Sequence, residues 1–182
     1  SLVKVIAGLV TADAGEVKGE GAVATVFQDL APCDKLDVVA NLFLGRELGI
    51  VLDEAAMERR TREVLGALGV TIADLKVPVA ALSGGQRQSI AVARALLGAP
   101  RTVVLDEPTA ALGVAQTRQV LDLVKRLKAP GLGVVLVSHN LADVFEVADR
   151  IVVLRQGRRA GAWPLAAVTP AQIVAAITGA AA

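Results

Sequence analysis

Two short runs constrain the fold more than anything else in the chain. Thr102-Val103-Val104-Leu105 and Gly133-Val134-Val135-Leu136-Val137 are almost wholly apolar, and the first ends in Asp106-Glu107. An unbroken apolar run, unlike an alternating one, is what a strand buried on both faces requires, and parallel sheets bury their strands that way. Between the two runs, residues 116–127 carry helical spacing. A third strand is predicted over 22–27, and helices over 2–9, 36–48, 53–68, 89–97 and 141–148. In the 53–68 helix Met57, Val64, Leu65 and Leu68 fall on one stripe, and the Glu58-Arg59-Arg60-Thr61-Arg62 cluster reads as a solvated face. Residues 151–154 and 158–163 form a hairpin turning at Gln156-Gly157. Strands alternating with helices define an α/β domain with a mainly parallel sheet. The stretch 29–97 holds no convincing buried strand and is expected to be a helical subdomain inserted into the sheet domain spanning 1–182.

Composition excludes some functions. Aromatic residues make up only 2% of the 182 residues and Tyr is absent, so a base-stacking surface has little to build from. Nineteen basic against 18 acidic residues leave a net charge of +1, which gives a nucleic-acid partner no support. The single Cys33 rules out an intrachain disulfide and is compatible with a reducing cytoplasm; Cys33 and Trp163 read as packing or partly exposed positions. The start, Ser1-Leu2-Val3-Lys4, has neither an initiator Met nor the features of a signal peptide, and reads as mid-protein sequence. Residues 160–182 carry no charge and are long enough to span a membrane, but Pro164, Thr169, Pro170, Gln172 and Thr178 interrupt them. They read as a soluble tail ending in a helix, with Thr169 as cap, Pro170 in the first turn and Gln172 completing a capping box.

The sharpest local signal is Leu82-Ser83-Gly84-Gly85-Gln86. Two glycines let backbone approach a ligand closely, Ser83 offers a hydroxyl, and the adjoining helix aims N–H groups and its positive dipole end at the loop. That combination suits a phosphate. A serine-capped helix after a glycine turn would look similar, but chance places this pentapeptide in a chain of this length only on the order of one time in several thousand. Asp106 and Glu107 are delivered to the C-terminal edge of a strand, where α/β sheets bind ligands. One carboxylate can hold Mg²⁺ and the other can polarise a water; a solvated acidic turn explains them equally well when they are taken alone. His139, the only histidine, comes after the strand at 133–137 and can donate to a γ-phosphate, or serve simply as a helix-capping or loop residue. Gln28 comes after the strand at 22–27 and, alone, is no more than a solvated strand end.

Order and spacing raise the specificity. Gln28, the Ser83 loop, Asp106-Glu107 and His139 occur in that sequence, and over essentially its whole length the chain resembles the ATP-binding subunits of ABC transporters. Gln28 matches that family's Q-loop, and 82–86, extended by Arg87-Gln88, its signature motif. Residues 103–107 match its Walker B strand with the catalytic Glu, and His139 its switch histidine. Phe27-Gln28-Asp29-Leu30, Leu42-Phe43-Leu44-Gly45-Arg46-Glu47, Pro108-Thr109-Ala110-Ala111-Leu112-Gly113 and residues 151–158 are similar in wording to cassettes of bacterial monosaccharide importers.

The resemblance implies a P-loop NTPase-type fold and an ATP-hydrolysing importer subunit, with ATP and Mg²⁺ as ligands. Glu107 would polarise the water, Asp106 and Gln28 would serve Mg²⁺, His139 would hold the γ-phosphate, and Ser83, Gly84, Gly85 and Gln86 would bind nucleotide. It also implies a second cassette arranged head to tail, transmembrane permease subunits contacted through the region after Gln28, indirectly a substrate-binding protein, and a peripheral place on the cytoplasmic face of the inner membrane. Two departures qualify it. The phosphate loop G-x-x-x-x-G-K-S/T is absent from these residues, and Ser1 to Lys4 resemble the family's residues immediately C-terminal to that loop. A cassette truncated at its N-terminus is expected, and the 182 residues alone are expected to bind ATP poorly and not to hydrolyse it measurably. Gly113 stands where the family's D-loop usually has Asp. Two rival readings are a non-catalytic cassette remnant and a soluble ABC ATPase acting on nucleic acid or ribosomes. Against the latter, Gln28 and Ser83 are only 55 positions apart (83 − 28), with no Cys cluster or heptad run between them.

Overall fold

A computed structural model describes residues 2–19, 21–27, 32–47, 52–128 and 131–180. Two compact units divide the chain, Ser1–Val137 and Ser138–Ala182.

The first unit opens with α1 (Leu2–Ile6), a short helix that contains Lys4. Its centre is a parallel three-stranded sheet of β1 (Val23–Val26), β2 (Thr102–Asp106) and β3 (Gly133–Val137), in the order β1-β2-β3. Val103, Val104 and Leu105 of the middle strand are 0% exposed, as their unbroken apolar run requires. β3 departs from expectation. It reads as a second buried strand, yet Val135 is 40% exposed and none of its residues is fully covered. Among the described residues it pairs on one side only, with β2. An apolar run specifies two faces suited to burial but not which strand receives the cover.

Between β1 and β2 the described residues are helical: α2 (Val38–Phe43), α3 (Glu54–Ala67), a 3-10 turn at Val79–Ala81 and α4 (Gly84–Leu96). Asp37 and Asp53 cap α2 and α3 by accepting from the Ala40 and Ala56 N–H groups at 2.7 and 2.9 Å. α3 buries Met57, Thr61, Val64 and Leu65, and Leu68 beyond them also turns inward. Its outer face carries the pairs Arg62–Glu58 and Arg60–Glu63, exposed and worth a few tenths of a kcal/mol each at most. α5 (Val114–Leu127) buries Val120, Leu121, Leu123, Val124 and Leu127. From its last turn Arg126 donates to the carbonyls of Leu68 and Gly69 at 2.8 and 3.2 Å, placing a cation at the C-terminus of α3. Gly69, at φ +63°, ends α3 where a Cβ would collide with the Arg126 guanidinium.

The second unit contains α6 (Leu141–Val147), the antiparallel pair β4 (Arg150–Arg155) and β5 (Arg158–Pro164), and α7 (Pro170–Thr178). Gln156 and Gly157 join the strands at φ +49° and +73°, both positive as a type I′ turn demands. Ile151, Val153, Val168 and Ile173 form the core, with Phe145, Val144 and Trp163 packed against it. The Trp163 ring lies against Gly161, leaving no space there for a side chain. Thr169 and Gln172 make the expected capping box, with Pro170 in the first turn of α7.

Candidate nucleotide site

The Ser83 segment is built as a helix start. Ser83 is extended at φ −65°, ψ 158°, and α4 begins at Gly84, five residues before the 89–97 helix expected from spacing. The early start is a consequence of the capping box. The Ser83 hydroxyl accepts from the Gln86 N–H at 3.2 Å, and Gln86 Oε1 accepts from the Ser83 N–H at 3.1 Å. A hydroxyl that accepts one hydrogen bond still has its own proton to donate. By helix geometry the Gly84 and Gly85 N–H groups have no intrahelical acceptor. Three donors at a positive helix end therefore suit a phosphate oxygen.

The other three candidates here carry structural duties. The Gln86 amide also donates to the Thr71 carbonyl at 3.5 Å, so its side chain holds Ser83 in place. The glycines have a packing role too. A Cβ on Gly85 would lie 2.7 Å from Gln119 Oε1 and 3.4 Å from Gln116 Cα, and one on Gly84 would lie 2.8 Å from Leu112 Cδ2. The first turn of α4 thus sits directly on the start of α5.

The acidic pair stands at the C-terminal edge of the sheet. Asp106 is the last residue of β2, in register with Val137, and both carboxylate residues are partly buried. Glu107 adopts φ +51°, held by its N–H to the Val137 carbonyl at 2.9 Å and by its carbonyl to the Ala110 N–H at 3.1 Å. A left-handed non-glycine residue costs on the order of 1 kcal/mol, and such strain concentrates at functional sites. The segment leaving Glu107 runs through Leu112, against Gly84, to Gly113 at the N-terminus of α5. The Ser83 and Glu107 arms are thereby joined within one unit.

Gln28 lies outside the described residues. His139 belongs to the second unit and is exposed. Its neighbour Asn140 caps α6, accepting from the Ala142 N–H at 3.0 Å and donating to Asp143 Oδ1 at 3.0 Å. Among the described residues no group of three or more acidic, His or Cys side chains assembles. Mg²⁺ held by one or two protein oxygens plus substrate phosphates requires no such group, so Asp106 fits that chemistry.

Asn41 was missed by sequence reasoning. It is a lone polar side chain on the buried face of α2, between Val38 and Leu42, and that placement is the signal that could have found it.

A family model for ABC transporters matches residues 1–110. The chain belongs to the ABC transporter family and is one of its ATP-binding cassettes, an ATPase. It is 44% identical to the fructose import ATP-binding protein FrcA of Rhizobium meliloti, over 99% of this chain and 78% of that protein. It is 39% identical to the xylose/arabinose import ATP-binding protein XylG of Sulfolobus acidocaldarius, over 87% of this chain and 69% of that one. Against the ribose import ATP-binding protein RbsA 1 of Rubrobacter xylanophilus it is 37% identical but spans only 35% of the longer protein. Among solved structures, a dimeric ATP-binding cassette in a post-hydrolysis state with ADP and Pi superposes with a TM-score of 0.63 at 27% identity, covering 79% of this chain and 62% of that one. The ATP-binding cassette of another ABC transporter matches at TM-score 0.80 and 23% identity, covering 97% and 81%, a likeness of fold.

Proposed function

We infer that the chain couples ATP hydrolysis to the import of a monosaccharide. One observation carries the catalytic half: a central strand whose Val103, Val104 and Leu105 are fully buried delivers Asp106 and Glu107 to the C-terminal edge of a parallel sheet. The sugar-import names of the relatives support the other half. Two cassettes associate head to tail. The Ser83 hydroxyl and the Gly84 and Gly85 amides of one grip the γ-phosphate of nucleotide seated on the other, with Gln86 as their positioning residue. Glu107 accepts a proton from the attacking water, and His139 donates to the γ-phosphate. Asp106 and Gln28 hold Mg²⁺, which when bound neutralises charge on the β- and γ-phosphates. Phosphoryl transfer needs positioning and charge stabilisation above all, and these donors and carboxylates supply both.

Residues 29–97 act as a helical subdomain that receives the permease subunits, with the substrate-binding protein acting through them. No described helix is long and apolar enough to cross a membrane. The resemblance to importer cassettes supports a peripheral position on the cytoplasmic face of the membrane. Glu107→Gln keeps the shape and removes the proton acceptor, so ATP turnover in the assembled transporter should fall about 10²- to 10⁴-fold. ATP-dependent dimer should persist on gel filtration. Turnover at the unmodified rate would remove Glu107 from this role.

A further inference from the structure

Asn41 is 1% exposed and uses its whole amide on backbone. Its Oδ1 accepts from the Cys33 N–H at 2.6 Å, and its Nδ2 donates to the carbonyls of Cys33, Leu36 and Asp37 at 2.9, 3.0 and 2.9 Å. One side chain thereby dictates the path of residues 33–37, a segment that begins five positions after Gln28. That segment is in turn the mating surface for a second one. Val79 donates to the Leu36 carbonyl at 3.0 Å, Ala80 to the Asp34 carbonyl at 3.1 Å, and Val38 to the Leu75 carbonyl at 3.0 Å, while Asp37 and Pro78 form an antiparallel bridge. The Leu36 carbonyl is the shared node, accepting from both Asn41 and Val79. Val38 and Val79, both 0% exposed, and Leu75, at 2%, seal the junction from water. The second segment then closes its 3-10 turn, with the Leu82 N–H on the Val79 carbonyl at 3.0 Å, and delivers Ser83.

We propose that Asn41 is a positioning residue for ATP hydrolysis: it fixes the segment C-terminal to Gln28 and, through the backbone zipper 34–38/75–80, sets the place of Ser83. A buried amide bonded only to backbone is a rigid coupling, because losing it strands polar groups away from water. The functional part rests on the reading of Ser83 and Gln28 as nucleotide-site residues in Proposed function. In a head-to-tail pair those two residues of one chain serve different nucleotides, so the zipper links the two sites.

The test is amide hydrogen exchange along the chain, joined to ATP turnover per folded molecule in the assembled transporter, for Asn41→Ala and Val79→Pro. Pro78 at φ −56°, ψ 140° accepts a proline after it, so Val79→Pro deletes the N–H bonded to Leu36 and replaces the side chain by one of similar size. Exchange at Ala80 and at the hydrogen-bonded amides of Ser83, Gln86 and Arg87 should rise about tenfold or more in both variants while 103–105 stays protected. Turnover should fall by about tenfold, with the KM for ATP changing less than about twofold. Faster exchange near residue 33 with 83–87 unchanged would overturn the proposal, and so would a uniform rise in both variants. The expected exchange pattern with turnover intact would leave the zipper as a structural coupling and overturn the positioning role of Asn41 in hydrolysis, whereas the reading of Ser83 itself stands or falls with its own substitution.

Discussion

Ser83 serves as helix cap and phosphate donor at once, because accepting from Gln86 leaves its proton available. The two duties separate by substitution. Ser83→Asp keeps a cap acceptor but removes the proton and adds charge facing a phosphate. Its thermal midpoint should stay within about 2 °C of the parent, while ATP turnover falls about 100-fold or more. Ser83→Ala should lose both, with about 1 kcal/mol of stability measurable by denaturant titration. A Ser83→Asp variant with near-normal turnover would leave Ser83 as a cap only. The cap was legible in the sequence, since Ser83-Gly84-Gly85-Gln86 has the spacing of a capping box as well as that of a phosphate loop. The left-handed turn at Glu107 was not legible. Nothing in Asp106-Glu107-Pro108 asks for positive φ, and the bonds that impose it come from Val137 and Ala110. Asn41 gave a signal as a lone polar residue on an apolar helix face, but its partners were hidden for a like reason: they are backbone groups, which carry no residue identity.

Elements were readable where local chemistry and packing agree. α7 begins at the cap expected of it, Thr169, and α3 begins at Glu54, one residue inside the expected 53–68 stretch, because Asp53 caps it. α2 is shorter than the 36–48 stretch because the chain turns extended at Leu44 and Gly45 takes φ +75°. β3 was placed correctly, but its burial depends on neighbours that its own residues do not encode. At α5 a glycine stands where the resemblance leads one to expect Asp, and the structure shows the local result. Gly113 occupies the N-cap at φ −73°, ψ 167°, and no side chain caps the helix there. Gly113→Asp should supply an acceptor and a charge at the positive helix end, gaining from a few tenths to about 1 kcal/mol and raising the melting midpoint by roughly 1–3 °C. An added Cβ would lie 2.7 Å from Gln116 Oε1, the mobile end of a side chain that can swing aside. A lowered midpoint would mean that this contact outweighs the cap.

At the scale of the whole chain, the two units are unequal. The first holds the parallel sheet and α1 to α5, whereas the second spans 45 residues (182 − 137) around a core of Ile151, Val153, Val168 and Ile173. A unit that small buries a modest fraction of its surface and is marginal by itself. Trp163, packed on that core and against Gly161, is the only tryptophan, and the chain has no tyrosine. Fluorescence excited at long wavelength therefore comes from a single lamp inside the smaller unit, while far-ultraviolet circular dichroism is dominated by the helices of the larger one. In a urea titration the emission curve should move at lower denaturant than the dichroism curve, and superimposable curves would show that the units melt as one. Unlabelled protein thus carries its own reporter for whichever binding event steadies the Trp163 unit.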